Sequence, residues 1–91
     1  MKKAMEQKIV GQYSEAMSRF ESGLESGYYN SKEDYNSLSD GMIFQSDLID
    51  QAIDSLYEAT LISYEDAEEL RGINEDLREQ YEDMIFDSLA A

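Results

Sequence analysis

The sequence predicts an all-α fold, a small antiparallel three-helix bundle, on three observations. None of the 91 residues is proline, so nothing interrupts long helices. Apolar residues recur at steps of three and four through three successive segments, a period that only a helix gathers onto one side. The second and third segments each open on a serine with an aspartate three residues later, the pattern of an N-cap followed by an acid in the first turn.

The first helix is expected over about 2–26. Met5, Ile9, Tyr13, Ala16, Met17, Phe20 and Leu24 form its apolar stripe, and Gly27 supplies a stop. Gly11 and Gly23 weaken it, each by about 1 kcal/mol relative to Ala. A short connection, Gly27 to Asn30, leads to Ser31 as the cap of a second helix over about 31–60. Its stripe is Tyr35, Leu38, Met42, Ile49, Ile53, Leu56 and Thr60, interrupted by Gln45. Ser39, Asp40 and Gly41 are turn-like, which leaves open a break near Gly41. Phe44 and Leu48 fall off the stripe, so in an unbroken helix they are either exposed or covered by something else.

Ser63, with Asp66 three residues on, caps a third helix over about 63–90, and Ile62 is placed to pack on Ala67 as a hydrophobic staple. Leu70, Ile73, Leu77, Tyr81 and Met84 are its expected apolar stripe. Gln80 and Asp87 stand where a coiled-coil seam would want apolar residues, which favours a bundle over a long rod. The connections are short, so neighbouring helices run antiparallel within one domain spanning 1–91.

Composition narrows the chemistry. There is no cysteine and no histidine, and the last lysine is Lys32. The usual general acids, bases and nucleophiles are therefore missing, and no enzyme is expected. No metal or cofactor is expected either. Helical di-metal centres use histidine, and an EF-hand loop built on Gly41 would set Leu38 where a ligating oxygen is required. No phosphate-binding glycine loop is present. Glu6, Gln7 and Lys8 interrupt the start of the chain before a signal-like apolar run develops, and no stretch is long and apolar enough to span a bilayer. A cytoplasmic protein is expected.

The net charge is -14, and it is unevenly placed. Residues 1–30 hold four cations against four carboxylates, whereas residues 31–91 hold three cations against 17 carboxylates and so carry the whole -14. Such a surface repels nucleic acid and anionic membrane and attracts a basic partner. Glu75, Glu79, Asp83 and Asp87 follow at i, i+4, where each like-charge pair weakens a helix by about 0.2–0.5 kcal/mol. Several of them lie toward the helix C-terminus, where the dipole favours cations. A sequence shaped only for helix stability would not place them so. Between Glu65 and Asp87, about 33 Å of helix carries nine acids on its outer side, close to one charge per 4 Å. One DNA strand carries a phosphate about every 3.4 Å.

In size, acidity and helical character, residues 31–91 resemble the small phage-encoded inhibitors of host defence, the anti-restriction and anti-CRISPR proteins, some of which mimic DNA. The resemblance is one of physical type and implies a stoichiometric inhibitor that occupies the nucleic-acid site of a basic protein in the host-cell cytoplasm. Residues expected to meet such a partner are Asp47, Asp50, Asp54 and Glu58 on the second helix and Glu65, Glu68, Glu69, Glu75, Asp76, Glu79, Glu82, Asp83 and Asp87 on the third. Phe44 and Phe86, set among acids, would be aromatic anchors. The competing expectation is an adaptor, assembly factor or antitoxin-like module acting through an apolar groove or a homodimer seam, with Tyr28, Tyr29, Phe44 and Leu48 carrying the contact.

Overall fold

Three helices account for nearly all of the chain: α1 (Lys2–Glu25), α2 (Lys32–Glu58) and α3 (Tyr64–Leu89). The structure is a computed structural model that describes residues 1–90, so Ala91, the last position of the expected domain, lies outside the described residues. Contacts between the helices fix an up-down-up order. Lys2 pairs with Glu69 near the start of α3, while Phe20 meets Tyr81 near its end, so α1 and α3 run parallel. Asp54 pairs with Arg71 and Tyr35 meets Phe86, so α2 runs against both. Helices of 24, 27 and 26 residues are about 36–40 Å long, and laid side by side they give a body of 45 × 18 × 15 Å.

Local chemistry sets the ends. Ser31 and Ser63 each close a capping box, their hydroxyls accepting from the backbone N–H of Asp34 (3.3 Å) and Asp66 (3.1 Å) while those aspartates accept from the cap backbone. Ile62 and Ala67 are both buried, as a staple requires. α1 ends in a Schellman motif: Tyr28 N–H donates to the Gly23 carbonyl, Gly27 N–H donates to that of Leu24, and Gly27 adopts φ +78°. α2 ends in the same motif, with Leu61 N–H on the Leu56 carbonyl and Thr60 N–H on that of Tyr57. Here the left-handed position, φ 58°, is filled by Thr60, a β-branched residue in a region that favours glycine. Thr60 therefore belongs to the turn and not to the buried stripe of the second helix, where periodicity had set it.

α2 is continuous through Ser39, Asp40 and Gly41, against the expected option of a break. Leu38 and Met42 both pack on the core from either side of Gly41, and burying them outweighs the roughly 1 kcal/mol that glycine subtracts. The core itself runs the length of the bundle as Met5, Ile9, Tyr13 and Phe20 from α1, Met42, Ile49 and Ile53 from α2, and Ala67, Leu70, Tyr81 and Ile85 from α3. On α3 the buried line is rotated from the expected stripe: Ile73, Leu77 and Met84 are only half-buried, and Asn74 and Ile85 take the central places. At one end Phe20 is sandwiched by Tyr29 and Tyr81, with ring centroids 5.6 and 6.2 Å away. The Tyr29 ring lies so close over Gly23 that a β-carbon there would overlap it, which explains a glycine inside α1.

Asn74, 1% exposed, ties the three helices together. Its Oδ1 accepts from the Tyr13 hydroxyl at 2.6 Å, and its Nδ2 donates to the Ser46 carbonyl (3.1 Å), Ser46 Oγ (3.3 Å) and Asp50 Oδ1 (3.0 Å). Burial raises the Tyr13 phenol above its ordinary pKa, which keeps it protonated as a donor.

α3 is the spine of this arrangement. α1 and α2 each pack along it but stand apart from one another, leaving a groove between them on the side away from α3.

Candidate functional site

Two surfaces stand out, one acidic and one apolar, and they lie on different sides of the molecule. The acidic surface is the outer side of α3. Glu65, Glu68, Glu69, Glu75, Asp76, Glu79, Glu82, Asp83 and Asp87 are all exposed, as are Asp47, Asp54 and Glu58 on α2. Asp50 is half-buried and turned inward, where it accepts from Asn74.

Cations divide this surface into two unequal halves. Arg71 bonds to Asp54 across the helix pair and to Glu68 at 2.6 Å, and Lys2 bonds to Glu69. These hydrogen bonds, Asp54 before Glu68 for Arg71 and Glu69 for Lys2, raise the pKa of both cations. The N-terminal part of the expected acidic row is thus partly compensated. Beyond it, no Lys or Arg lies within 4 Å of Glu75, Asp76, Glu79, Glu82, Asp83 or Asp87 among the described residues. The two arginines of α3 explain the asymmetry. Arg71 and Arg78 are seven residues apart and so share a face, and both line a cleft of about 320 Å³ against α2 with Ser46, Asp47, Asp50, Asn74 and Glu75. The buried Nε of Arg78 has no hydrogen-bond partner among the described residues. Both cations turn into the cleft, whose rim Glu75 shares, and Asp76, Glu79, Glu82, Asp83 and Asp87 beyond it form no ion pair among the described residues. From Glu75 to Asp87 six carboxylates occupy about 18 Å of helix, one per roughly 3 Å, a tighter spacing than the full row gives.

Phe86 is 48% exposed and stands within this row, its other side resting edge-on against Tyr35 at 6.1 Å. It is therefore both a bundle contact and an aromatic patch among acids. Phe44, 66% exposed, is placed differently: it lines the α1–α2 groove, whose one carboxylate among the described residues, Glu15, is paired with Arg19, and so stands apart from the acidic row. Tyr28 is exposed at the α1–α2 turn, while Tyr29 is half-buried on Phe20 and Gly23.

The groove has a volume of about 460 Å³ and is walled by Met5, Ile9 and Ala16 of α1 and Phe44, Leu48, Ile49 and Ala52 of α2, with Lys8, Gln12, Glu15, Arg19 and Gln45 at its edges. Sequence periodicity flags Phe44 and Leu48 as off-stripe, but only the separation of α1 from α2 makes them walls of one concavity. Asn74 and Ser46 escape a reading by apolar period because both are polar. The signal that could have found Asn74 is its place four residues after Leu70 and seven before Tyr81, on the buried line.

Among the described residues no group of carboxylates converges closely enough to hold a metal ion, and no helix is long and apolar enough to cross a membrane. Comparison with known protein families, with curated proteins and with solved structures finds no match to this chain.

Proposed function

We propose that the protein is a non-enzymatic binding protein that engages a basic, nucleic-acid-binding partner through the outer face of α3 and blocks it stoichiometrically. The observation that carries this reading is the run of six exposed carboxylates from Glu75 to Asp87 with no cation in ion-pair range among the described residues. Its spacing of about 3 Å per charge approaches the roughly 3.4 Å per phosphate of a DNA strand. A groove lined with Lys and Arg to hold phosphates would meet comparable charge along about 18 Å of a rigid helix, without the phosphodiester that a nuclease could cut. Phe86 would add apolar contact at the centre of the charged surface. The reading extends to an inhibitor of host defence of the anti-restriction or anti-CRISPR type, acting in the cytoplasm.

The test is competition. The chain is used to capture proteins from a nuclease-treated lysate, and each captured protein is assayed for binding to labelled duplex DNA with rising amounts of the chain. Displacement of DNA at a one-to-one ratio, weakening as added salt shortens the Debye length below about 8 Å, is the expected result. Exchanging Glu75, Glu79 and Asp83 for Gln should abolish capture while helicity is unchanged. Capture that survives the three exchanges, or that ignores salt, refutes charge display.

A further inference from the structure

The α2–α3 cleft holds a cation that no group of the chain answers. Its lining among the described residues is polar throughout, and its volume of about 320 Å³ lies at the small end of the roughly 300–1,000 Å³ of ligand pockets. Its floor is fixed by the fold, since buried Asn74 donates from Nδ2 to Ser46 and to Asp50 Oδ1.

The walls are not. Arg71 and Arg78 stand one heptad apart on α3, and Asp54 and Asp47 one heptad apart on the antiparallel α2. The first of these cross-helix pairs is closed: Arg71 bonds to Asp54 and also to Glu68. The second is open. Arg78 and Asp47 both line the cleft, yet Arg78 has no carboxylate within 4 Å and makes no hydrogen bond among the described residues. Its Nε is sealed from water, and a buried donor without an acceptor costs about 1–3 kcal/mol or more when charged. That Nε is the one buried, unpartnered side-chain atom among the described residues, so the unpaired terminal nitrogens of the same guanidinium reach solvent.

Charge decides what can enter. A bare anion would meet Arg78 but also Asp47, Asp50 and Glu75, with Arg71 already engaged, on a chain of net charge -14. A bare cation would meet those carboxylates but also the guanidinium, and among the described residues no carboxylates converge to hold a metal ion. A molecule that is anionic at one end and cationic at the other satisfies both walls. The planar fork of arginine matches a carboxylate, and an ammonium donates to the carboxylates at the rim.

We propose that the cleft binds a small zwitterion of the amino-acid type, its carboxylate on the guanidinium of Arg78 and its ammonium on Asp47 and Glu75. The ligand bridges two walls that stand too far apart to pair directly. The volume admits an amino acid with a small side chain, and the polar lining gives a large apolar side chain nothing to rest on. Binding here does not depend on what the acidic row meets, although Glu75 borders both.

The experiment is a titration of the full, isotope-labelled chain with glycine to about 50 mM, followed by NMR, a range that covers a Kd of about 1 mM for a ligand of so few atoms. The Nε–H of Arg78, sealed from water, and the side-chain amide of Asn74 report from within the cleft. Both signals are expected to move and to saturate. Acetate and methylammonium, which each supply one end of the ligand, should each bind at least about tenfold more weakly. Asp47→Asn, at an exposed side chain, should weaken glycine about tenfold, and Arg78→Gln should abolish saturation at the Asn74 signal with the helical circular dichroism unchanged. Wild-type signals that stay still or drift without saturating overturn the proposal. So does acetate or methylammonium binding as well as glycine, or a glycine affinity that is the same after Asp47→Asn or Arg78→Gln.

Discussion

Removing the Asn74 amide is the sharpest probe of how the three helices are held in register. Asn74→Ala leaves the Tyr13 hydroxyl, on a fully buried side chain, without its acceptor, and opens a small void where the amide stood. An unsatisfied buried hydroxyl costs about 1–3 kcal/mol, and the void adds to it. The expected loss is about 3 kcal/mol, a large part of the roughly 5–14 kcal/mol that holds a chain of this size. In a domain of this length that lowers Tm by about 12–24 °C. Asn74→Leu fills the void but still removes the acceptor 2.6 Å from the hydroxyl, leaving it only neighbouring Ser46, so it should cost about 1–3 kcal/mol on its own. Combining Asn74→Leu with Tyr13→Phe removes both ends of the bond. Ser46 Oγ can then turn to a carbonyl of its own helix, and half-buried Asp50 can turn to water. The double variant should return to within about 1 kcal/mol of wild type, with a coupling of about 1–2 kcal/mol. Urea unfolding followed by circular dichroism, on all four members of the cycle, supplies the numbers. Strict additivity of the two substitutions would falsify the view that Tyr13 and Asn74 act as a pair.

Thr60→Gly should raise stability by about 0.5–1 kcal/mol, since it removes a β-branched residue from a left-handed backbone, and thermal denaturation reads it directly. Gly23→Ala should destabilise despite the better helix propensity of Ala, because the Tyr29 ring occupies the space, whereas Gly72→Ala, with nothing within 4 Å, should stabilise by about 1 kcal/mol; equal signs for the two would contradict the packing described. Replacing Glu79 and Asp83 with Gln removes three i, i+4 repulsions and should stabilise α3 by about 0.6–1.5 kcal/mol even as it removes charge from the proposed binding row. Hydrogen bonds from the backbone N–H of Asn30, and then of Ser31, hold the Asp34 carboxyl below its ordinary pKa of 3.8. Its stabilising contribution is therefore complete above about pH 4 and lost as pH falls through the lowered value. Asp34→Asn should weaken the chain at neutral pH and flatten this acid-side decline in a pH series of melts.

What the sequence makes legible here is local. Ser31, Ser63 and Gly27 announce their turns through chemistry confined to a few residues, and each behaves as that chemistry requires. The α1 stripe is read correctly for the same reason: its seven apolar residues are all buried or half-buried. Thr60 misleads because its apolar neighbours continue the α2 period while its backbone has already left the helix. On α3 the apolar residues form a band wider than one line, so periodicity cannot say which edge faces the core. The answer depends on Asn74 finding Tyr13 and Ser46, which are 61 and 28 residues away. The acidic row is visible as composition, yet which half of it is uncompensated depends on Arg71 and Arg78 facing α2, a matter of helix rotation. The groove is invisible to any one-helix reading, since its walls belong to two helices whose separation is set by the third.

That dependence on α3 bears on how the chain comes off the ribosome. α1 is made first, but the helix it packs along is made last, and α2, its neighbour in sequence, offers it little. Until α3 emerges, Tyr13 lacks Asn74 and Phe20 lacks Tyr81. α2 and α3, joined by a tight turn, can pair as a hairpin as soon as both are out, and α1 must wait and then close over a gap of more than 30 residues. The α1 segment, with four cations against four carboxylates, brings no net charge to the acidic hairpin that follows, so its late docking buries apolar surface without adding to the repulsion already there.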